Sequence, residues 1–107
     1  MPKYLIQATY TLDGIKAVKA NGGSARRAAI DDAMRSFGGM LESFYFALGD
    51  ADVYAIADFP GIIDAAAMSL AVCAAGGART KTVVLLTPEE IDLAAQREVG
   101  YQPPEAS

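Results

Sequence analysis

The chain of 107 residues contains no histidine and a single cysteine, Cys73. Without histidine, Ser-His-Asp and Cys-His catalysis and histidine-ligated haem are excluded, and a zinc site would lack its ordinary ligands. One cysteine cannot form an internal disulfide, which is typical of a reducing compartment. Any chemistry must therefore come from Tyr, Asp, Glu, Lys, Arg or backbone groups, and we expect neither a metal nor a cofactor.

Basic clusters and long apolar runs are also missing. The formal net charge is −4 and no basic block occurs, which argues against binding to nucleic acid or to an anionic membrane. The Ala-rich stretch 62–75 is shorter than a membrane span and contains Asp64. The start, Met1-Pro2-Lys3, leads directly into a short apolar strand rather than a signal sequence. We therefore expect a soluble, cytoplasmic protein.

The composition indicates one packed domain. Hydrophobic residues make up 52% of the chain and charged residues 21%, so a core and a soluble surface are both expected. The chain is too short for two independent cores. We predict a single domain over residues 1–107, with a folded core at 1–100 and an extended, proline-containing tail at 101–107.

Strand-forming segments alternate with helical segments, and most boundaries carry glycine or proline. Strands are predicted at 3–11, 40–48, 51–59 and 78–86. Helices are predicted from Asp13 to about residue 20, from Ser24 to residue 37, over 62–75, and from residue 88 to about Val99. Asp13 and Ser24 are the expected N-caps of the first two helices. The motif Thr87-Pro88-Glu89-Glu90 predicts a capping box for the last helix.

The two middle strands are predicted to form a hairpin around Gly49-Asp50, with Gly49 supplying a positive φ. An even-length loop would place one apolar set of side chains under the helices: Phe44, Phe46, Leu48, Val53, Ala55 and Ala57. The opposite face would then be amphipathic, carrying Ser43, Tyr45, Ala47, Asp52, Tyr54, Ile56 and Asp58. The Ala-rich third helix is apolar on nearly all sides, which predicts burial on more than one face, with Cys73 packed as a small apolar group.

This order of elements predicts an α+β fold. Two right-handed β-α-β crossovers joined by a hairpin favour a ferredoxin-like βαββαβ arrangement with an extra C-terminal helix. One face of its four-stranded sheet would remain open. Because that face is partly apolar, we expect a second copy to cover it, and the chain to form a homo-oligomer, at least a dimer.

Several segments in order resemble the GYD domain family, over residues 4–104. They are Lys3-Tyr4-Leu5-Ile6-Gln7-Ala8, Gly23-Ser24-Ala25-Arg26-Arg27, Glu42-Ser43-Phe44-Tyr45-Phe46-Ala47, Gly49-Asp50-Ala51-Asp52-Val53-Tyr54 and Thr82-Val83-Val84-Leu85-Leu86-Thr87-Pro88-Glu89-Glu90. The family signature is Gly-Tyr-Asp at the hairpin, usually with one residue between Gly and Tyr; here Gly49 and Asp52 match, but Ala51 replaces the tyrosine. If that tyrosine lines a site, either this part is absent or Tyr54 or Tyr45 must serve. The resemblance implies a dimeric α/β barrel, in which two sheets enclose a cavity, and no settled activity.

The first candidate site lies on the open sheet face. Asp52 and Tyr54 are the candidate catalytic pair, a carboxylate base and a phenol that donates to an oxyanion. Tyr45 and Asp58 join them as candidate ligand-binding residues. The structural alternatives are that Asp52 stabilises the hairpin turn and that the tyrosines pack in an interface.

The second candidate site is Arg26 with Arg27, in the first turn of a helix where cations oppose the helix dipole. Two guanidiniums after a Gly-rich approach suit a phosphate or carboxylate. The alternative is local pairing of Arg27 with Asp31, with Arg26 solvated or paired across an interface. Charged residues on the expected edge strands, Glu42, Arg79 and Lys81, are expected to block unwanted strand pairing.

Three functions are compatible with these residues. The first is a homo-oligomer that binds a small molecule in a cavity between sheets. The second is a cofactor-independent isomerase or monooxygenase of small ring compounds, and the third is a purely structural subunit. The sequence leaves open whether the protein is an enzyme, and it identifies neither a ligand nor a partner other than the chain itself.

Overall fold

The computed structural model describes residues 1–105, which form four strands and four helices. The predicted α+β class and order of elements are confirmed. In chain order the elements are β1 (Lys3–Tyr10), α1 (Leu12–Asn21), α2 (Gly23–Arg35), β2 (Met40–Phe46), β3 (Val53–Asp58), α3 (Ile62–Ala74), β4 (Ala78–Leu85) and α4 (Pro88–Gln96).

The strands form one antiparallel sheet in the order β2-β3-β1-β4. The central strand β1 pairs on both sides, so that Ile6 lies opposite Ala55 of β3 and Thr82 of β4. Because successive side chains alternate between faces, Ile6 points toward the helices while Leu5 and Gln7 point to the other face. The position of β1 thus sets which residues share each face.

The hydrophobic core lies between the sheet and helices α2 and α3. Tyr4, Ala57 and Phe59 from the sheet side are buried against Met34 of α2 and Met68 of α3. The rings of Tyr4 and Phe59 meet edge to face with centroids 5.4 Å apart. Such an aromatic pair stabilises a core by about 1 kcal/mol beyond the area that it buries.

The β2–β3 hairpin has the predicted register near its loop. Tyr45 lies opposite Tyr54, as an even-length loop requires. Val53 and Ala55 are buried beneath the helices, as predicted. A β-bulge at Glu42 shifts the pairing by one residue at the far end of the hairpin.

The turn of this hairpin differs from the prediction. The Ala47 amide donates to the Asp52 carbonyl oxygen over 2.8 Å, so the loop contains four residues rather than two. This longer loop does not need a left-handed residue, and Gly49 is not among the glycines with positive φ. Leu48 is fully exposed rather than placed under the helices, because it lies within the loop.

A single residue, Gly22, separates α1 from α2, and its φ of 86° favours glycine. The expected N-caps are both wrong. Thr11 caps α1 instead of Asp13, since its Oγ1 accepts a hydrogen bond from the Gly14 amide over 3.2 Å. Helix α2 begins directly after Gly22, so Ser24 lies within its first turn, and no side chain caps this helix.

Helix α3 is buried on one face rather than on several. Ala65 and Met68 are buried, whereas Ile63 and Leu70 are 77% and 72% exposed. Cys73 is also exposed, so the prediction of a packed, buried thiol is wrong. The apolar composition of α3 therefore produces an uncovered hydrophobic surface on the outside of the helix layer.

The predicted capping box at the start of α4 is confirmed. Thr87 Oγ1 accepts from the Glu90 amide over 3.1 Å, and Glu90 Oε1 accepts from the Thr87 amide over 2.9 Å. The helix ends at Gln96, slightly before the predicted Val99. No residue of α4 is buried, and within the described chain it packs extensively against no other element.

Residues 97–105, which follow α4, are exposed and have no regular structure. Residues 106 and 107 of the predicted tail lie outside the described part of the chain. The principal extents of 59, 36 and 23 Å show that the molecule is elongated. A domain of this size would have a radius of gyration of about 13 Å if spherical, and the value here is 17.4 Å.

Candidate functional site

The sheet face opposite the helices carries no packed element in the described part of the chain. The strand registers place its side chains in rows that run across the sheet. One row is largely apolar and consists of Ser43, Ile56, Leu5 and Val83. Apolar side chains in the middle of an uncovered sheet form the kind of surface that a partner or a ligand covers.

The neighbouring row carries the two candidate tyrosines. Tyr45 and Tyr54 are directly opposite one another, and Tyr54 is in turn opposite Gln7. The row ends with Lys81 on the edge strand β4. Directly opposed residues have Cβ atoms about 5 Å apart, so both phenols can reach one ligand atom or pack together.

Asp52 lies just before β3, and its carboxylate has a partner in the fold. Its Oδ2 accepts a hydrogen bond from the backbone amide of Tyr10 over 2.9 Å. The Asp52 amide donates to the Ala8 carbonyl oxygen over 2.9 Å. These contacts join the hairpin loop to the end of β1, so Asp52 has a structural role in addition to any role in ligand binding.

Asp58 lies at the other end of β3 and forms an ion pair. Lys3 Nζ is 3.0 Å from Asp58 Oδ1 and 2.9 Å from Glu42 Oε1. The hydrogen bonds to Glu42 and then to Asp58 raise the pKa of Lys3 above its ordinary value. Glu42 is on the edge strand β2, as predicted, but it pairs with Lys3 rather than standing free in solvent.

The four candidate residues of the open face are therefore only partly brought together. Tyr45 and Tyr54 are adjacent, and Asp52 is two positions from Tyr54 along the chain, about 7 Å away at the rise of a strand. Asp58 is four positions from Tyr54 in the other direction, about 13 Å away. The phenol pair is the centre of this surface, and the carboxylates are at its borders.

Arg26 lies on the helix side of the sheet, where its guanidinium stacks on an aromatic ring. Arg26 Cζ is 5.9 Å from the centroid of the Tyr10 ring. The Tyr10 ring stacks in turn on Phe46, with centroids 6.5 Å apart and an angle of 29° between the planes. The attraction between a cation and an aromatic face offsets the loss of side-chain freedom. The Arg26 guanidinium is therefore held over the ring.

Two cavities meet at Arg26 and Tyr10, because both residues line each of them. The inner cavity, about 50 Å³, lies between the sheet and helices α2 and α3 and is almost wholly apolar. The outer groove, about 620 Å³, lies between α1, α2 and the turn after α3. Burial raises the pKa of the Tyr10 phenol, and hydrogen bonding with Arg26, followed by the Arg26 charge, partly offsets this effect.

Arg27, the second predicted cation, lines neither cavity and is exposed. The expected Arg27–Asp31 ion pair is not the pair that forms. Asp31 Oδ2 instead lies 3.2 Å from Arg35 Nε, one helical turn further along. An acid four residues before a base on a helix forms a more stable pair than the reverse order, which explains why Asp31 pairs with Arg35 and not with Arg27.

Sequence reasoning missed the roles of Tyr10 and Thr11. Thr11 Oγ1 donates to the Gly76 carbonyl oxygen over 2.8 Å, and the Thr11 amide donates to Gly77 O over 3.0 Å. These bonds attach α1 to the turn after α3 and form one wall of the groove. The alternation of apolar residues along β1 would have placed Tyr10 on the core face with Ile6, but no local signal indicates the contact of Thr11 with residues 65 positions away.

Cys73 has a polar environment that its position in an Ala-rich helix does not suggest. Its Sγ lies 3.6 Å from Thr80 Oγ1, and Thr80 Oγ1 is 2.7 Å from Ser69 Oγ. Hydrogen bonding from Thr80 lowers the pKa of the Cys73 thiol. The thiol is therefore more readily ionised than a free cysteine, and it lies outside both cavities.

Within residues 1–105, no three His, Cys, Asp or Glu side chains are grouped closely enough to hold a metal ion. No described helix is both long and apolar enough to span a membrane. The arrangement therefore offers phenols, an arginine and hydrogen-bonded carboxylates as the groups that could contact a ligand.

Comparison with protein families gives a match over most of the chain. The family model described as GYD domain matches residues 4–95, from the start of β1 to the last turn of α4. Ala51, at the position of the signature tyrosine, is buried at the end of the hairpin loop. No curated protein and no solved structure is similar enough to match the chain.

Proposed function

The chain belongs to the GYD domain family, and from its sheet geometry we propose that it is a homo-oligomer, at least a dimer, that binds a small molecule between two sheets. In this assembly the open sheet faces of two copies meet, as in a dimeric α/β barrel. The antiparallel order β2-β3-β1-β4 is that of a ferredoxin-like sheet, which supports this arrangement.

The observation that carries the proposal is the uncovered apolar row of the open face. Leu5, Ile56 and Val83 lie side by side on three adjacent strands with no element above them in the described chain. Each apolar side chain that a second copy covers contributes about 25 cal/mol per Å² of buried surface. A second copy supplies an identical row, so the contact is self-complementary across a two-fold axis.

The ligand would lie beside this row, against the opposed phenols of Tyr45 and Tyr54. Phenol O–H groups donate to carbonyl or carboxylate oxygens, and Gln7 in the same row offers both a donor and an acceptor. A small ring compound with one carbonyl or carboxylate group fits that mixture of apolar surface and donors. Two copies would present four such phenols to the enclosed space.

Catalysis by the same site is the second candidate. Asp52 would act as the base and Tyr54 as the donor to a developing oxyanion. However, Asp52 Oδ2 accepts from the Tyr10 amide, and Asp58 is paired with Lys3. Since both carboxylates have structural partners, the geometry favours binding over proton transfer. The third candidate, a structural subunit, would have a filled interface without a cavity.

Analytical ultracentrifugation of the wild type and of Ile56→Asp tests the assembly. We expect a dimer or larger species for the wild type and a monomer for Ile56→Asp, because a charge in the apolar row cannot be covered without a large desolvation cost. Ile63→Asp is the matched control, since Ile63 is exposed on the opposite, helix side of the molecule. A wild type that stays monomeric at high micromolar concentration contradicts the proposal.

Binding is tested separately by thermal melting with small aromatic acids, in the wild type, Tyr54→Phe and Asp52→Asn. Loss of stabilisation in Tyr54→Phe supports the phenol as a ligand donor. Retained binding with turnover that Asp52→Asn abolishes would support the enzyme instead. A dimer whose melting none of these acids changes would indicate the structural subunit.

A further inference from the structure

The outer groove beside Arg26 is much larger than the inner cavity that it adjoins. We propose that it is a binding site for a small organic carboxylate, with Arg26 as the residue that binds the carboxylate group. We name it the Arg26 groove and define its walls by Ala17 and Val18 of α1, Ala25 and Ala29 of α2, and Gly76-Gly77. It is on the helix side of the sheet, so it does not depend on the dimer proposed above.

The size of the groove suits a small molecule. Its volume of about 620 Å³ lies within the range of about 300–1,000 Å³ that small-molecule pockets occupy. Four glycines and four alanines are among the thirteen residues that line the groove, and these small residues leave space between α1 and α2. A larger side chain at Ala25 or Ala29 would fill it.

The group of the groove that can bind an anion is the Arg26 guanidinium. Arg26 is the only lysine or arginine among its lining residues, and Asp13 is the only carboxylate. No described carboxylate lies within 4.0 Å of the Arg26 guanidinium. A half-buried cation without a carboxylate partner is suited to an external anion.

The guanidinium is also pre-positioned. Its stacking over Tyr10, itself stacked on Phe46, limits the orientations that Arg26 can adopt. A planar guanidinium held in one orientation binds a planar carboxylate through two parallel hydrogen bonds. A phosphate dianion would need a second cation, which the described lining residues do not provide.

The remainder of the ligand would be apolar and about as large as one aromatic ring. The methyl groups of Ala17, Ala25 and Ala29 and the side chain of Val18 form the surface beside Arg26. The inner cavity of about 50 Å³ adjoins the guanidinium on its other side and is too small for a ring, so the body of the ligand lies in the groove.

Titration with phenylacetate, followed by the amide proton and nitrogen NMR signals, tests the proposal. We expect saturable shifts for the amides of Gly22, Ala25, Gly76 and Gly77. Phenylacetamide has the same body without the charge, and it should bind at least about tenfold more weakly, since one charged hydrogen-bonded pair contributes about 1.5–3 kcal/mol.

Two pairs of variants make the test specific. Arg26→Gln should weaken phenylacetate binding at least about tenfold, whereas Arg27→Gln, its exposed neighbour outside the groove, should change it less than about twofold. Ala25→Leu should abolish binding by filling the groove, while Ala28→Leu, which lines neither cavity, should not. If Arg26→Gln does not fold, the comparison of Ala25→Leu with Ala28→Leu still tests whether phenylacetate binds in the groove.

Three results would overturn the site. The first is the absence of any saturable shift of the groove amides with phenylacetate in the millimolar range. The second is an equal loss of affinity in Arg26→Gln and Arg27→Gln, which would indicate general electrostatic attraction. The third is binding that shifts only open-face signals, such as Tyr45 and Tyr54; this outcome would support the site between the sheets instead.

Discussion

The carboxylate of Asp52 accepts a hydrogen bond from the backbone amide of Tyr10 over 2.9 Å. The amide belongs to the last residue of β1, whose side chain lies on the helix side beneath Arg26. Asp52 therefore connects the border of the open face with the residue on which the Arg26 groove is built. We therefore expect a substitution at Asp52 to alter the structure on both faces of the sheet.

Replacing Asp52 tests whether this hydrogen bond stabilises the fold. We expect Asp52→Ala to lower the free energy of unfolding by about 1–2 kcal/mol, because the Tyr10 amide then loses a charged acceptor in a partly buried position. Asp52→Asn keeps an acceptor oxygen and should lose less than about 1 kcal/mol. Urea denaturation of the three proteins measures the difference.

The neighbouring Asp50 provides the control for this comparison. It is exposed in the same loop and makes no side-chain hydrogen bond among the described residues, so Asp50→Ala should change stability by less than about 0.5 kcal/mol. Equal losses in Asp50→Ala and Asp52→Ala would show that charge in the loop matters and that the bond to Tyr10 does not.

Gly14 is in contact with Gly77 at the point where α1 meets the turn after α3. A Cβ atom on Gly14 would overlap the Gly77 carbonyl oxygen, which is backbone and also accepts the Thr11 amide. We expect Gly14→Ala to destabilise the fold by about 2 kcal/mol, within the range for overpacked positions. A lower denaturation midpoint with an unchanged slope would be the signature.

Gly49→Ala is the matched substitution. A Cβ on Gly49 meets nothing within 4 Å, and its φ is not positive, so alanine fits there without strain. The change should be neutral or slightly stabilising, because alanine reduces the freedom of the unfolded chain. A Gly14→Ala variant that is tolerated as well as Gly49→Ala would contradict a close contact between Gly14 and Gly77.

The hairpin shows how far sequence reasoning reached. Alternation of apolar and polar residues, with an even-length loop, was enough to predict that Tyr45 and Tyr54 share one face of the sheet, and the structure places them directly opposite one another. The loop length was wrong because four residues preserve the same parity as two, and Gly49-Asp50 is typical of the shorter turn. The position of Leu48 was therefore wrong although the register was correct.

Other parts depended on contacts between distant segments. The stacking of Arg26 on Tyr10 requires the sharp reversal at Gly22 and the attachment of α1 to the turn after α3, neither of which leaves a periodic pattern. Burial of α3 was overestimated for another reason. Hydrophobicity predicts that a surface favours being covered, but it does not indicate whether the same chain covers it.

The ion pairs of Lys3 predict a change in stability at alkaline pH. Hydrogen bonds to Glu42 and Asp58 raise the pKa of Lys3 in the folded state above its unfolded value of about 10.4. The stabilisation is therefore fully present below about pH 10.4 and is lost as the pH rises through the raised folded value. Since the side chains are partly exposed, the effect should be below about 1 kcal/mol.

Comparison with Lys3→Met isolates this contribution. The difference in unfolding free energy between wild type and Lys3→Met should be constant from pH 7 to about 10 and should shrink above it. Lys16→Met is the control, because Lys16 is exposed on α1 and forms no described salt bridge. A Lys3 contribution that instead grows with alkaline pH would contradict the assigned sign.

The capping box of α4 predicts a local effect without a global one. Thr87→Ala removes the side-chain acceptor for the Glu90 amide, which should destabilise α4 by about 1 kcal/mol. Because no residue of α4 is buried in its own chain, the urea midpoint of the monomeric core should not move. Ile56→Asp, expected to be monomeric, is the background in which to measure this.

Hydrogen exchange gives the readout for α4. Amides near Ile91 should exchange about five- to tenfold faster in Thr87→Ala, while those of the central strand β1 should be unchanged. Met68→Ala, in α3, is a useful contrast because Met68 is buried in the core. If Thr87→Ala lowered the core midpoint as much as Met68→Ala, α4 would have to pack on its own domain, in disagreement with its full exposure.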